Sequence, residues 1–251
     1  MLNLENLKKF YINDFGEKKI VFDNLNLKIK KGDFVCIMGG NGAGKTTLFN
    51  TILGNTELTN GKIILENENI TNFKKHKRNR YISKVYQNPS LGTSPNMTIF
   101  ENLSLADNKG KSFNLSWGIN KKRKEKYIKY LSHLELGLEN HFNTPVGNLS
   151  GGQRQCLSLL MSVLAKPKLL LLDEHTAALD PKISRVIMNK TAEIIENDKI
   201  TTLMITHELQ DAIDYGNRLI MLKDGKIILD IDGEEKNKIT KEELLHYYSV
   251  V

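Results

Sequence analysis

Cysteine is scarce in this sequence: Cys36 and Cys156 are the only two, and each lies in an apolar segment. Isolated thiols of that kind favour buried, reduced cysteines over a disulfide. Long apolar runs are missing too, none approaching the roughly 20 residues that cross a bilayer, so no membrane-spanning helix is expected. The opening stretch MLNLENLKKFYIND has neither the apolar core nor the small-residue cleavage site of a signal peptide, and a cytosolic location is expected. No internal repeat, low-complexity tract or Gly/Ser/Pro-rich linker divides the chain, which leaves one integrated domain with inserted parts.

The 251 residues are 40% hydrophobic and 26% charged, the composition of an ordered globular chain with a substantial core. The formal charge is +7, which suits nucleic acid, an anionic membrane surface or a phosphorylated ligand. The densest basic runs, KKHKRNR (74–80) and KKRKEK (121–126), lack the interleaved aromatics that stack on bases. A solvated helix face or loop is expected for both.

Apolar and polar residues alternate over 2–8 and 20–29, as in half-buried antiparallel strands. DFVCIMG (33–39) is almost wholly apolar and ends in glycine, which predicts a strand buried on both faces, and KIILE (62–66) and YISKVYQ (81–87) read as further strands. Helical spacing then takes over in MTIFENLSLA (97–106), KRKEKYIKYLSHLEL (122–136) and GQRQCLSLLMSVLA (152–165). Two buried strands follow, KLLLLD (168–173) and TTLMIT (201–206), separated by a helix over 182–197, an order that implies parallel pairing through a crossover. RLIMLKDGKIILDI (218–231) predicts a hairpin turning at Asp224-Gly225, and KEELLHYYSV (241–250) a closing helix.

GGNGAGKTT (39–47) satisfies G-x-x-x-x-G-K-[ST] between a predicted strand and a predicted helix. Gly39, Gly40, Asn41, Gly42, Ala43 and Gly44 form a loop whose N–H groups can surround phosphate oxygens, with Thr47 one residue beyond the motif. Lys45 can reach the outer phosphates, and the Thr46 hydroxyl can ligate Mg²⁺. Such a loop calls for an acid at the tip of a neighbouring parallel strand to hold the ion through water. LLLLDEHTAALDP (169–181) supplies Asp173 for that role, and Glu174 next to it is a candidate base for the attacking water. His175 behind them either shapes the turn towards Asp180 or contacts the site indirectly, since further metal ligands at suitable spacing are lacking.

LSGGQRQ (149–155) completes a set that resembles the ATP-binding subunits of ABC transporters over essentially the whole chain. Among them the likeness is to bacterial importers of small organic solutes, including aromatic amino acids. The resemblance implies an α/β fold: a P-loop NTPase core with an antiparallel β subdomain over 1–87 and 166–251, and an inserted α-helical signature subdomain over 88–165. It implies that Gln87 in VYQNPS contacts Mg²⁺ and senses a membrane partner, that His207 in MITHE contacts the γ-phosphate, and that Asp180 in AALDP lies at a subunit boundary. Tyr11 matches the ring that stacks on adenine, with neighbouring Phe10 as the other choice. Ser150, Gly151 and Gly152 begin a helix and form a second anion site. By resemblance, that site closes on ATP bound to the phosphate loop of a second copy of the chain.

The expected cofactors are therefore ATP and Mg²⁺. The expected partners are integral membrane permease subunits, a second copy of the chain and an extracytoplasmic solute-binding lipoprotein, with the protein peripheral on the inner face of the membrane. Met97, Ile99 and Phe100 are candidates either for permease contact or for the core. The segment TPVGN before the signature lacks the acidic stretch often seen in exporters and points to import. A soluble ABC ATPase acting on nucleic acid, ribosomes or cofactor assembly is the competing reading, supported by the charge of +7 but without the long coiled-coil insertion or second ATPase domain usual there. An ATPase of an exporter is the other alternative, whereas a scaffold without turnover conflicts with the intact Lys45, Asp173, Glu174 and His207.

Overall fold

A computed structural model describes residues 1–110 and 123–249. Lys121 and Lys122 of the second basic run, and Val250 of the expected closing helix, lie outside the described residues. Packing divides the chain into two units, Met1–Asn79 with the chain from Lys199 onward, and Arg80–Asp198. The helical insertion expected over 88–165 falls inside the second unit, which also holds two strands and the long helix after them.

In the first unit, β1 (Leu2–Ile12), β2 (Lys18–Ile29), β4 (Asn60–Leu65) and β5 (Glu68–Asn69) form an antiparallel sheet in the order β2-β1-β4-β5. Alternation holds at Leu2 and Leu4 of β1 and then slips at Asn6, whose φ is 50°, so that the next buried residue is Leu7. The other strands of this unit centre on β3 (Phe34–Gly39), buried at every residue. It pairs in parallel with β8 (Thr201–Ile205) on one side and β9 (Arg218–Lys223) on the other. β10 (Lys226–Asp232) returns antiparallel to β9 through a turn in which Asp224 and Gly225 both have positive φ, 46° and 72°.

Two helices follow the first strands, α1 (Lys45–Leu53) and α2 (Lys75–Arg78). The first basic run is the solvated stretch its composition implies at Lys74, Lys75, His76, Lys77 and Arg80, but Arg78 within it is buried. Its guanidinium donates to Thr51 O at 2.6 Å and Ile52 O at 2.9 Å in the last turn of α1, and to Thr71 O at 2.6 Å and Phe73 O at 3.0 Å. A cation at the carbonyl end of a helix satisfies acceptors the helix cannot. The first unit closes with α7 (Leu209–Asp214), α8 (Gly233–Lys238) and α9 (Lys241–Ser249). Its thiol, Cys36, is buried and donates to Tyr215 O at 3.1 Å, with burial pushing its pKa up to about 12.

The second unit pairs β6 (Ile82–Val85) in parallel with β7 (Leu169–Asp173). Its helices are α3 (Ile99–Asp107), α4 (Lys124–Ser132), α5 (Gly151–Leu164) and α6 (Pro181–Asp198). Reciprocal Thr98–Glu101 hydrogen bonds cap α3. Mostly buried, α5 packs against α3, α4 and α6. Ile99 is fully buried and belongs to the core, whereas Phe100 is half-buried, its ring tilted against Phe142 at 4.9 Å between centroids. Cys156 is buried in α5, and burial pushes its thiol up to about 12.

His175 is 2% exposed in the turn between β7 and α6. Thr191 Oγ1 donates to Ile187 O at 2.7 Å, so the 3.2 Å contact to His175 is a bond donated by the ring's Nε2–H. Burial pulls this imidazole down from 6.5 to about 4 and keeps it neutral.

Two stability predictions follow from these buried bases. Arg78→Ala removes a donor from four carbonyls, of which Thr51 O keeps Gly54 N–H at 3.2 Å, and should cost about 3 kcal/mol or more, read as a fall in urea midpoint; a loss below about 1 kcal/mol contradicts the role. The unfolded chain binds a proton at His175 below about pH 6.5 and the folded chain does not until about pH 4, so stability rises with pH across that window. It is fully present above the unfolded pKa and drains as the pH falls. His175→Gln should flatten the drop between pH 6.5 and 4.5 by about 2 kcal/mol, and an unchanged slope would show that the ring is not held neutral.

Candidate functional site

The phosphate loop in the first unit is built by backbone constraints. Gly39 ends β3 with φ 146°, and a Cβ there would sit 2.2 Å from Leu222 O on β9. Gly44 has φ 101°, and a Cβ there would meet Phe22 Cε1 of β2 at 2.7 Å. Only glycine fits either position, so the loop is clamped between strands. Between them Gly40 is half-buried, Asn41 and Gly42 are exposed and Ala43 is buried, with Ala43 N–H bonded to Gly40 O at 3.2 Å. No side chain caps α1, and its first turn holds no acid. Its first N–H groups therefore suit an anion rather than a cap.

Lys45 is buried, and its ammonium donates to Gly39 O at 2.6 Å and Gly40 O at 3.0 Å. Thr46 is exposed at the start of α1 and Thr47 half-buried beside it. Parallel pairing brings the other part of this half into place. Ile37 pairs with Ile205, so the positions two further on, Gly39 and His207, emerge from neighbouring strand ends. His207 is exposed, with Nδ1 3.4 Å from the Tyr248 hydroxyl, which also donates to Gly39 O at 3.3 Å. Of the two aromatic candidates on β1, Tyr11 is 43% exposed with Lys9 Nζ 4.7 Å from its ring, while Phe10 is half-buried. Successive residues of a strand face opposite ways, so only one can offer a stacking face, and Tyr11 is the more open.

In the second unit, β6 and β7 run in parallel with Val85 opposite Leu172. Continued, that register sets Tyr86 level with Asp173 and exposed Gln87 level with Glu174. Asp173 is bound through Oδ2 by Lys84 Nζ at 2.6 Å, the two side chains being 17% and 7% exposed. The same ammonium lies 4.8 Å from the Tyr86 ring centroid, and burial with the Asp173 charge pushes the Tyr86 phenol up. Lys84 was not among the residues expected at the site, although a lysine inside the apolar strand YISKVYQ was a readable signal for a buried acid partner.

Glu174 leaves β7 with φ 46°, a left-handed conformation that costs a non-glycine residue about 1–2 kcal/mol. The turn is held by Ala177 N–H on Glu174 O at 3.1 Å, and it swings the carboxylate off the strand that carries Asp173. Asp180 caps α6, its Oδ1 accepting from Lys182 N–H at 2.9 Å ahead of Pro181. Ser150 caps α5: its hydroxyl accepts from Gln153 N–H at 3.3 Å, and Gln153 Oε1 accepts from Ser150 N–H at 3.1 Å. Gly151 is exposed on the first turn and Gly152 is buried, where a Cβ would meet Ile183 Cγ2 at 2.6 Å.

The family model described as ABC transporter matches residues 22–177. The chain is 48% identical to the tyrosine transport ATP-binding protein of Clostridioides difficile (strain R20291), covering 99% of this chain and 98% of that one. It is 36% identical to the choline transport ATP-binding protein of Bacillus subtilis (strain 168), covering 91% of this chain but only 56% of that longer relative. A solved dimeric ATP-binding cassette in a post-hydrolysis state, bound to ADP and Pi, superposes with a TM-score of 0.78 at 30% identity, covering 92% of this chain and 98% of its own. A fold shared at that identity, a family match over more than half the chain and a full-length relative agree: this chain belongs to the ABC transporter family, as an ATP-binding and ATP-hydrolysing subunit of the importer type.

Proposed function

We propose that this subunit drives uptake of a small organic solute, an aromatic amino acid such as tyrosine, through a separate integral membrane permease. The observation that carries the motor half of this reading is the uncapped phosphate-loop helix that bears Lys45; Glu174, at a strand end in a left-handed turn of the other unit, is the proposed base. The cargo half rests on likeness to a tyrosine transport ATP-binding protein along nearly the full length of both chains.

In the proposed cycle, the loop N–H groups and Lys45 bind the β- and γ-phosphates, while adenine stacks on Tyr11. Glu174 accepts the proton of a water whose oxygen attacks the γ-phosphorus as the bond to the β-phosphate oxygen breaks, giving ADP and phosphate. His207 meets the γ-phosphate. Oxygen donors from Thr46, Gln87 and Asp173 suit a hard cation, and Asp173 fits contact through water because Lys84 holds only Oδ2. Bound Mg²⁺ would neutralise charge between the outer phosphates.

The second anion site, Ser150, Gly151 and Gly152 at the head of the 14-residue α5, supports an arrangement in which a second copy supplies it to the same ATP. Asp180 would lie at that boundary. Among the described residues no helix is long and apolar enough to cross a membrane, which supports a peripheral position on the inner face beside the permease. A solute-binding lipoprotein outside the membrane completes the proposed importer.

Glu174→Gln should retain ATP binding and lower turnover by about 100-fold or more, measured as phosphate release; turnover at the wild-type rate would remove Glu174 as the base. Lys45→Ala should weaken ATP binding by about tenfold or more in calorimetry, through loss of charge-assisted bonds to phosphate. An unchanged affinity would contradict the phosphate-loop assignment.

A further inference from the structure

We propose that Lys84, on the strand before Gln87, is a tethered rival to the divalent cation at Asp173: its ammonium matches the carboxylate's charge, so the strand tip takes a cation firmly only when nucleotide phosphates add theirs. The role deepens, and rests on, the reading of Asp173 as the acid that holds Mg²⁺ through water.

Strand register brings the pair together. Lys84 of β6 lies level with Leu171 of β7, and Asp173 follows two residues later. Residues two apart on a strand share a face, so the lysine and the acid share one, and the lysine stem runs forward along the strand to the tip. There Nζ meets Asp173 Oδ2 at 2.6 Å, with both side chains largely buried. Tyr86, two residues beyond Lys84, shares that face and sets its ring centroid 4.8 Å from the ammonium. The strand end is itself pinned, because Gln155 of α5 donates through Nε2 to Tyr86 O at 3.1 Å.

Burial decides how the pair behaves. An exposed ion pair exchanges its partners for water at little cost, whereas a buried ammonium stripped of its acid is expensive. Lys84 therefore stays on Oδ2, and Asp173 presents to any cation a single negative charge that is already matched by a single positive one. A divalent ion gives up its own water reluctantly, and a neutralised carboxylate offers it little in return. The phosphates of a bound nucleotide carry the charge that this strand tip lacks. The consequence is an order of events, with the metal arriving with or after the nucleotide and not alone.

A lysine that served only to fix the carboxylate would have the opposite signature. Removing a positioning contact loosens Asp173 and weakens cation binding, but removing a rival charge tightens it. The sign of the change separates the two roles.

The experiment is Mn²⁺ binding to the full, nucleotide-free chain, read from the electron paramagnetic resonance signal of the free ion. Lys84→Met should bind Mn²⁺ about tenfold more tightly than wild type, the effect of removing one unit charge held this close. Lys84→Gln, whose neutral amide keeps a hydrogen bond to Asp173, should tighten binding in the same direction and serves in its place if Lys84→Met folds poorly. Lys84→Arg should keep the wild-type affinity. In a chain carrying both Lys84→Met and Asp173→Asn the gain should vanish, which places it at that carboxylate. Affinity unchanged or weakened in a folded neutral variant, or a gain that survives Asp173→Asn or appears equally in Lys84→Arg, would overturn the proposal. With ADP added, Asp173→Asn alone should weaken Mn²⁺ binding. If it does not, the reading of Asp173 as the Mg²⁺ acid fails, and the nucleotide-free comparison still decides whether Lys84 keeps cations from that carboxylate.

Discussion

Parallel pairing of buried strands is the constraint on which the site depends. A strand buried on both faces has no side chain to spare for chemistry, since every one is packed, and its first exposed positions are those just past its end. β3 and β8 lie side by side in the same direction, as do β6 and β7. Strand ends that share a direction deliver their following residues to the same edge, which is how Gly39 and His207 come together in one unit and Gln87 and Asp173–Glu174 in the other. Apolar burial thus positions polar groups that would be costly to place inside the sheet itself.

Each half also carries a charge that must be answered when no phosphate does so. Lys45 is buried and donates to two loop carbonyls, Gly39 O and Gly40 O. Asp173 is answered by Lys84 at one oxygen, which keeps the carboxylate fixed at the strand tip. Glu174 leaves its strand in a left-handed turn whose strain the packing of β7 and α6 must hold.

Much of this was readable in the residues. The phosphate loop, the acid pair and the signature each state a local geometry, and the apolar runs of β3 and β7 identified buried strands. What escaped was non-local. Arg78 looked like part of a solvated basic run because composition carries no information on the carbonyls 26 and 27 residues earlier that it binds. Lys84 acquires meaning only when Asp173 stands next to it. Asp180 showed the reverse difficulty: the family pattern points to a subunit boundary, whereas the fold of one chain first gives it a helix to cap. The short helices α7 and α8 offer too few residues for a periodic pattern to appear.

The account stands or falls on whether phosphate release by this chain moves a solute. Vesicles containing the chain with the permease that co-purifies with it should accumulate labelled tyrosine, or a close aromatic relative, when ATP is supplied to the face bearing this subunit, in step with phosphate release. Hydrolysis that proceeds without any membrane partner, is stimulated by RNA and moves no solute would contradict it.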